Sequence, residues 1–195
     1  WDYAVAFNWT ENEQTESNPS GCFRESQLFP LLATGVVNPF GDNTEAVRNQ
    51  VLATQVSGDI RKSTATNYGF DGKVSTELFK LPAGSVAMAL GGDWHKEELD
   101  IINTELYQSG DIIGGSGAIP SLEGANRDVW AIYGEFNIPI IKSVEANVAI
   151  RYDDYSDFGG TTNPKISLRW QPSKQLLVRG SWGTGFRAPT LNDLY

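Results

Sequence analysis

His95 is the chain's one histidine, and it stands two residues after Asp93. An acid–histidine pair becomes a hydrolytic centre only beside an activated serine on a strained G-x-S-x-G turn. The run Gly114-Gly115-Ser116-Gly117-Ala118 fails that spacing. It also fails as a phosphate-cradling G-x-G-x-x-G, because Pro120 stands where the third glycine belongs, so a loop tip is expected. Asp153, Asp154 and Asp157 bunch around Tyr155. Calcium loops place oxygen ligands at alternate positions around a central glycine. Without that pattern, the three aspartates read as solvated carboxylates of a hairpin loop. Cys22 is the sole cysteine, so the chain holds no disulfide or zinc cluster of its own. Its thiol is expected to be unpaired, or to meet a cysteine outside the chain. The segment Gly183-Thr184-Gly185-Phe186-Arg187-Ala188-Pro189 is different in kind. Proline cannot donate to a sheet ladder and forces Ala188 into extended geometry, so strand pairing is expected to break there. Phe186 is expected to be buried. Arg187 is suited to grip a carboxylate with two parallel hydrogen bonds, on the protein itself or on an anionic ligand. None of these sets supports catalysis, a cofactor site or a metal site.

The elements that must position these residues are strands. From Val144 the even positions read Val144, Ala146, Val148, Ile150 and Tyr152, and the odd ones Glu145, Asn147, Ala149, Arg151 and Asp153. Ile166, Leu168 and Trp170 then alternate with Lys165, Ser167 and Arg169, and Val178 and Trp182 with Arg179 and Ser181. A period of two sends successive side chains to opposite faces of a strand. Seven strands are expected, over about 1–10, 63–79, 85–98, 128–138, 144–155, 164–171 and 176–184. One face carries Val86, Met88, Leu90, Val148, Ile150, Leu168 and Val178 and is expected to meet lipid. The other carries Asp93, His95, Glu135, Arg151, Arg169 and Arg179 and suits a wet lumen. Such a face suits a dry sandwich core badly, because buried charges without partners are costly.

The connections carry a second signal. Those at 80–84, 139–143 and 172–175 are short, whereas 11–62 and 99–127 are long and 156–163 is intermediate. Short turns therefore fall at one end of the sheet and longer loops at the other, as in outer-membrane barrels. Trp1, Tyr3, Val5, Phe7 and Trp9 share one face. Trp1 and Trp9 lie about 26 Å apart at ~3.3 Å per residue, which matches an apolar band of ~25 Å between two aromatic girdles. In the first long loop, Asp42 and Glu45 have capping-box spacing and Val47 and Val51 repeat at four, so a helix is expected over about 43–53.

Composition narrows the function classes. The 195 residues carry a net charge of -9, which disfavours nucleic acid as a partner. Between Asp100 and Asn126 stand Asp100, Glu105, Asp111 and Glu123 with no lysine or arginine. That stretch reads as a solvated acidic loop, or as one that meets cations or a metal-loaded ligand. No apolar run reaches the ~18 residues of a membrane-spanning helix, which leaves strands untouched as a way across. The chain opens inside an apparent strand with no charged-then-apolar leader, so an internal fragment is expected.

The literal residues add a resemblance. RYDDYSDFG, TTNPK and GTGFRAP followed by NDLY, with LFKLPAG over 78–84 and VAMALGGDWHKEE over 86–98, resemble the barrel of TonB-dependent outer-membrane receptors. The family commonly has Glu-Tyr-Arg where this chain has Asp93-Trp94-His95. The resemblance implies an all-β fold of antiparallel up-and-down strands, part of a 22-stranded transmembrane barrel with a plugged lumen. Residues 1–195 would be an unclosed arc of that barrel, with the plug and the other strands outside the chain. It also implies a non-enzymatic receptor of the bacterial outer membrane that uses no cofactor. Such receptors import a ferric siderophore, cobalamin or an oligosaccharide, energised through TonB by way of the plug. Its partners would be outer-membrane lipid, and a small-molecule or metal-chelate ligand at external loops 11–62 and 100–126. Two alternatives stay open, a passive porin-like channel and a soluble β-sandwich binding module.

Overall fold

A computed structural model describes residues 1–114 and 117–195. Gly115 and Ser116 of the glycine run read as a loop tip lie outside the described residues. The strands are β1 (Asp2–Phe23), β2 (Gln55–Leu81), β3 (Gly84–Asn103), β4 (Leu122–Ile141), β5 (Val144–Tyr155), β6 (Gly159–Ser173) and β7 (Leu176–Gly183). They form one seven-stranded sheet in the order β1-β2-β3-β4-β5-β6-β7. This is the expected up-and-down antiparallel arrangement. With one sheet among the described residues, the sandwich alternative falls, because a sandwich needs two. Among the described residues, helices α1 (Glu25–Ala33), α2 (Glu45–Leu52) and α3 (Glu105–Ser109) lie between strands, and α4 (Leu191–Leu194) follows β7.

Several boundaries differ from expectation. The first four strands run well into stretches read as loops, and β6 starts at Gly159, so only Ser156, Asp157 and Phe158 separate it from β5. The opposite turns are tighter still, at Pro82-Ala83, Lys142-Ser143 and Lys174-Gln175. Helix α2 lies where expected, but its cap is Thr44, whose hydroxyl accepts from the Val47 amide at 3.4 Å, and not Asp42. Helix α1 was not expected at all; Pro30 sits inside it.

Two compact units divide the chain. One comprises residues 11–65 and 99–125. Its core is Ile60, Tyr107 and Ile112, with Cys22, Leu106 and Ile119 packed against them. Asn103 is buried and holds the neighbouring chain: its amide donates to the carbonyls of Ile119 (3.2 Å) and Pro120 (2.8 Å), and its oxygen accepts from Arg61 Nε at 3.1 Å. Arg61 also lies 5.0 Å over the Tyr107 ring. The expected solvated acidic loop holds for the exposed Glu105 and Glu123 and is corrected for Asp111 and Asp100. Asp111 accepts from both the amide and the hydroxyl of Ser26 at 2.7 Å and faces Arg24 at 3.6 Å. The Ser26 hydroxyl and then its amide hold the Asp111 carboxyl below the usual carboxylate range, with Arg24 adding to the effect. Asp100 likewise accepts from the Gly124 amide at 2.7 Å.

The other unit comprises residues 1–10, 66–98 and 126–195. Away from register shifts at Pro139/Ile141 and Trp170/Ser173, β4, β5, β6 and β7 pair in step and keep the two faces apart: Ile132↔Tyr152, Val148↔Ile166 and Leu168↔Gly180 on the apolar face, Tyr133↔Arg151, Asn147↔Ser167 and Arg169↔Arg179 on the charged one. Leu90, Val148, Ile150, Leu168 and Val178 are all exposed on the apolar face, as expected of a face without a protein partner. Two residues of the set expected to meet lipid differ: Val86 is buried at 4% exposure and Met88 is half-buried. Aromatic rings gather along the same face, with Trp94 against Tyr68 and Phe70, and Trp130 against Tyr152. Their polar tips are served by Asp154, which accepts from Trp130 Nε1 at 3.1 Å and from the Tyr152 hydroxyl at 3.3 Å.

Candidate functional site

The charged face of this second unit concentrates the groups that could act on a ligand. Odd-numbered residues of β3, β4 and β5 project from it and form a line of ion pairs. Asp153 meets Arg151 Nε at 2.7 Å, and Arg151 Nη2 meets Asp93 at 2.9 Å. Asp93 lies 3.6 Å from His95 Nδ1, and Glu97 lies 3.5 Å from His95 Nε2. Glu97 in turn faces Arg127 Nη1 at 3.7 Å, and Arg127 Nε donates to Asp157 at 2.7 Å. The guanidinium of Arg151 also sits 5.8 Å over the Tyr133 ring. That ring lies where a Cβ at Gly91 would project, so the glycine makes the close approach possible.

The line is a wall of mutually paired charge. A nucleophile would have to stand beside His95, yet the cleft of about 430 Å³ around it is lined by Asn8, Asn67, Asp71, Asp93 and Arg151 with no serine, threonine or cysteine. A neutral imidazole has one N–H, and here carboxylates flank both ring nitrogens. Among the described residues, no group of three or more His, Cys, Asp and Glu is arranged to hold a metal ion.

Arg127 is the functional-looking residue that sequence reasoning missed. Its side chain is 2% exposed, the most deeply buried charge on this face. Besides Asp157 and Glu97 it serves the Pro189 carbonyl, which accepts from Nη2 at 2.9 Å. Its guanidinium carbon lies 5.6 Å over the Tyr155 ring and 5.5 Å over the Phe158 ring. Those two rings stack at 4.4 Å, and Phe186 packs on both at 6.0 and 5.2 Å. The segment 184–190 is thus a strap. It leaves β7 with the Thr184 amide on the Pro164 carbonyl (3.0 Å), lays Phe186 on the rings and ends on Arg127. Beyond it, Leu191 is buried, and Thr190 and Asp193 close a capping box on α4. The Thr190 hydroxyl and amide hold the Asp193 carboxyl below its usual range. One signal was available: Val129 and Ala131 put apolar residues on both faces of β4, and both are buried.

Other expected site residues fall as follows. Glu135 accepts from Asn147 at 2.5 Å on the charged face. Arg169 lies 3.9 Å from Glu145 and also donates to Gln171. Arg179 stands directly opposite Arg169. Asp93, His95 and Arg151 belong to the ion-pair line. Strand β7 ends at Gly183, before the Ala188-Pro189 step at which pairing was expected to break, and Gly185 and Ala188 carry the chain along. Phe186 is corrected from buried to half-exposed, because it covers other rings without being covered itself. Arg187 is exposed, and its charge helps to hold down the Asp193 carboxyl; the carboxylate grip expected of it belongs to Arg127. The solvated aspartate cluster is also corrected: Asp153 is buried against Arg151, Asp154 serves Trp130 and Tyr152, and Asp157 is clamped by Arg127.

Comparison with known proteins rests on the same sheet. The chain is 26% identical over 149 residues to the ferric enterobactin receptor PirA of Pseudomonas aeruginosa, covering 72% of this chain and 20% of that protein. It is 23% identical over 156 residues to the vitamin B12 transporter BtuB of Vibrio vulnificus, covering 78% of this chain and 23% of the transporter. Among solved structures it resembles the ferric enterobactin receptor PfeA of Pseudomonas aeruginosa in complex with enterobactin. The TM-score there is 0.59 at 16% identity, over 98% of this chain and 24% of that one. The chain thus spans about a fifth to a quarter of the length of these relatives. The sequence profile of the "TonB dependent receptor-like, beta-barrel" family matches residues 1–195, and the chain belongs to that family.

Proposed function

We propose that the chain is a stretch of barrel wall from an outer-membrane receptor that imports a scarce nutrient, energised through TonB. The carrying observation is the two-faced sheet. Leu90, Val148, Ile150, Leu168 and Val178 stand exposed on one face, and the line from Asp153 to Asp157 occupies the other. Such a sheet needs an apolar medium on one side and water or protein on the other. Ferric siderophores and cobalamin are the favoured cargo classes, in keeping with what the named relatives carry; an oligosaccharide is the third. The unit of residues 11–65 and 99–125 would lie outside the cell and make first contact with ligand, because loops on a rigid scaffold vary without disturbing it. The turns at Pro82-Ala83, Lys142-Ser143 and Lys174-Gln175 would face the periplasm.

Uptake of radiolabelled ferric siderophores and cobalamin by cells with and without the full-length gene, each in the presence and absence of TonB, tests this reading. Saturable uptake that needs both supports it. Uptake that needs the gene but not TonB would favour the porin alternative. An epitope inserted at Ala83 should be hidden from antibody on intact cells. One inserted between Thr104 and Ser121 should be reachable.

A further inference from the structure

Three strands assemble a polar grid on the charged face, away from the ion-pair line. The register sets Glu145 opposite Arg169 and Arg169 opposite Arg179. In the next row Asn147 faces Ser167 and Ser167 faces Ser181; in the third, Ala149 faces Lys165 and Lys165 faces Gly183. Directly opposed residues share a face with Cβ atoms about 4.5–5.5 Å apart. The two upper rows and Lys165 line an open hollow of about 420 Å³. Ala149 and Gly183 keep its far side low.

The charge in this hollow is out of balance. Lys165, Arg169 and Arg179 line it with one carboxylate, Glu145, while Glu135 stands beyond Ala149 and accepts from Asn147, in a chain whose net charge is -9. Like charges set directly opposite each other destabilise a strand pair, yet Arg169 and Arg179 occupy such a position. Arg169 reaches Glu145 only at 3.9 Å, and among the described residues Arg179 and Lys165 make no ion pair within 4.0 Å. Three neutral side chains fill the row between the cations: Ser167, Ser181 and Asn147, whose amide already donates one hydrogen bond to Glu135. The geometry points to an anion site: a carboxylate or phosphate group seated over Ser167, its charge shared by Arg169, Arg179 and Lys165, its remaining lone pairs served by the serines and Asn147. Guanidinium pairs are the side chains best matched to such planar or tetrahedral oxyanions. The anion comes either from a small molecule in solution or from an acidic side chain elsewhere in the full-length protein.

Thiol-reactive probes of opposite charge separate these cases. In full-length protein carrying Cys22→Ser, a thiol is introduced as Ser167→Cys and, separately, as Ser181→Cys. Each is treated with anionic sulfonatoethyl and cationic trimethylammonioethyl methanethiosulfonate, and rates are normalised to a free thiol. A normalised preference of tenfold or more for the anionic reagent, abolished by Arg169→Gln with Arg179→Gln, identifies an open site for soluble anions. Protection from both reagents that the same two substitutions lift identifies an acidic side chain of the protein as occupant. Equal normalised rates, or protection that the substitutions leave unchanged, would overturn the anion site. Heat-dependent gel mobility reports barrel folding in every variant. A protein that stays folded only with both arginines in place would make them structural and likewise overturn it.

Discussion

Replacing Arg127 by Met keeps most of the side chain's length and removes its charge. The Asp157 side chain is only 12% exposed, so its carboxylate would be left without a counter-charge where water is scarce. Removing one partner of a buried ion pair costs about 3–5 kcal/mol. The lost hydrogen bond to the Pro189 carbonyl adds about 1 kcal/mol, and the lost cation over Tyr155 and Phe158 a similar amount. Thioether contact with the same rings returns ~0.3–1.5 kcal/mol, which leaves a net of about 3.5–6.5 kcal/mol. At about 1.4 kcal/mol per factor of ten, local opening should rise by roughly two and a half to four and a half orders of magnitude. Hydrogen exchange at Ser156 and Thr184 reads this directly, because their amides bond the Asp128 and Pro164 carbonyls at 3.0 Å on the two sides of the node. Trypsin should also cut faster after the exposed Arg187. Adding Asp157→Asn to Arg127→Met removes the stranded charge and should restore much of the protection. Exchange within tenfold of the unaltered protein would refute the assignment of Arg127 as the strap's anchor. Failure of the second substitution to rescue would refute the stranded charge as the cause.

Four further outcomes follow from named contacts. Asp111's pKa is depressed in the folded chain, so its clasp on Ser26 is fully present above the ordinary carboxylate pKa and is lost only as pH falls through the lower folded value; Ser26 exchange should stay slow at pH 5, and Asp111→Asn should abolish the acid step. His95→Ala in the full-length protein should leave any transport largely unaffected, and an esterase activity that disappears in that variant would show that the charged wall is catalytic. Gly91→Ala would bring a Cβ to 2.8 Å from the Gly72 carbonyl and into the Tyr133 ring, costing about 1–3 kcal/mol; an unchanged unfolding midpoint would contradict that packing. Deleting 108–120 was expected from the sequence to leave the barrel folded, and β5–β7 should still keep their protection; but the deletion removes Ile112 and Ile119 from their core and Asp111 from Ser26, so residues 11–65 should lose theirs.

What could be read from the sequence follows from which media the two faces meet. In β5, β6 and β7 one face is apolar and the other charged, and there the alternation located the strands and their two faces. In β1 the signal ends after Trp9, because the residues that follow, from Thr10 to Gly21, are almost all polar; the strand continues to Phe23 through its pairing with β2 and not through any apolar stripe. Helix α1 has no buried residue, so little in its pattern distinguishes it from a loop. At Arg127 the failure is of another kind. A lone arginine beside the acidic stretch looked like the end of a loop, and its partner Asp157 lies thirty positions away, a pairing that no local spacing encodes. The strap is the common cause. Where it and its rings cover the charged face, that face turns dry, Val129 and Ala131 replace polar residues, and the contrast that alternation depends on disappears. Loss of alternation within a strand, flanked by a charge, is therefore itself a signal: it marks where another part of the chain folds over the sheet, and a buried charge there must be answered by a carboxylate that the same fold brings in.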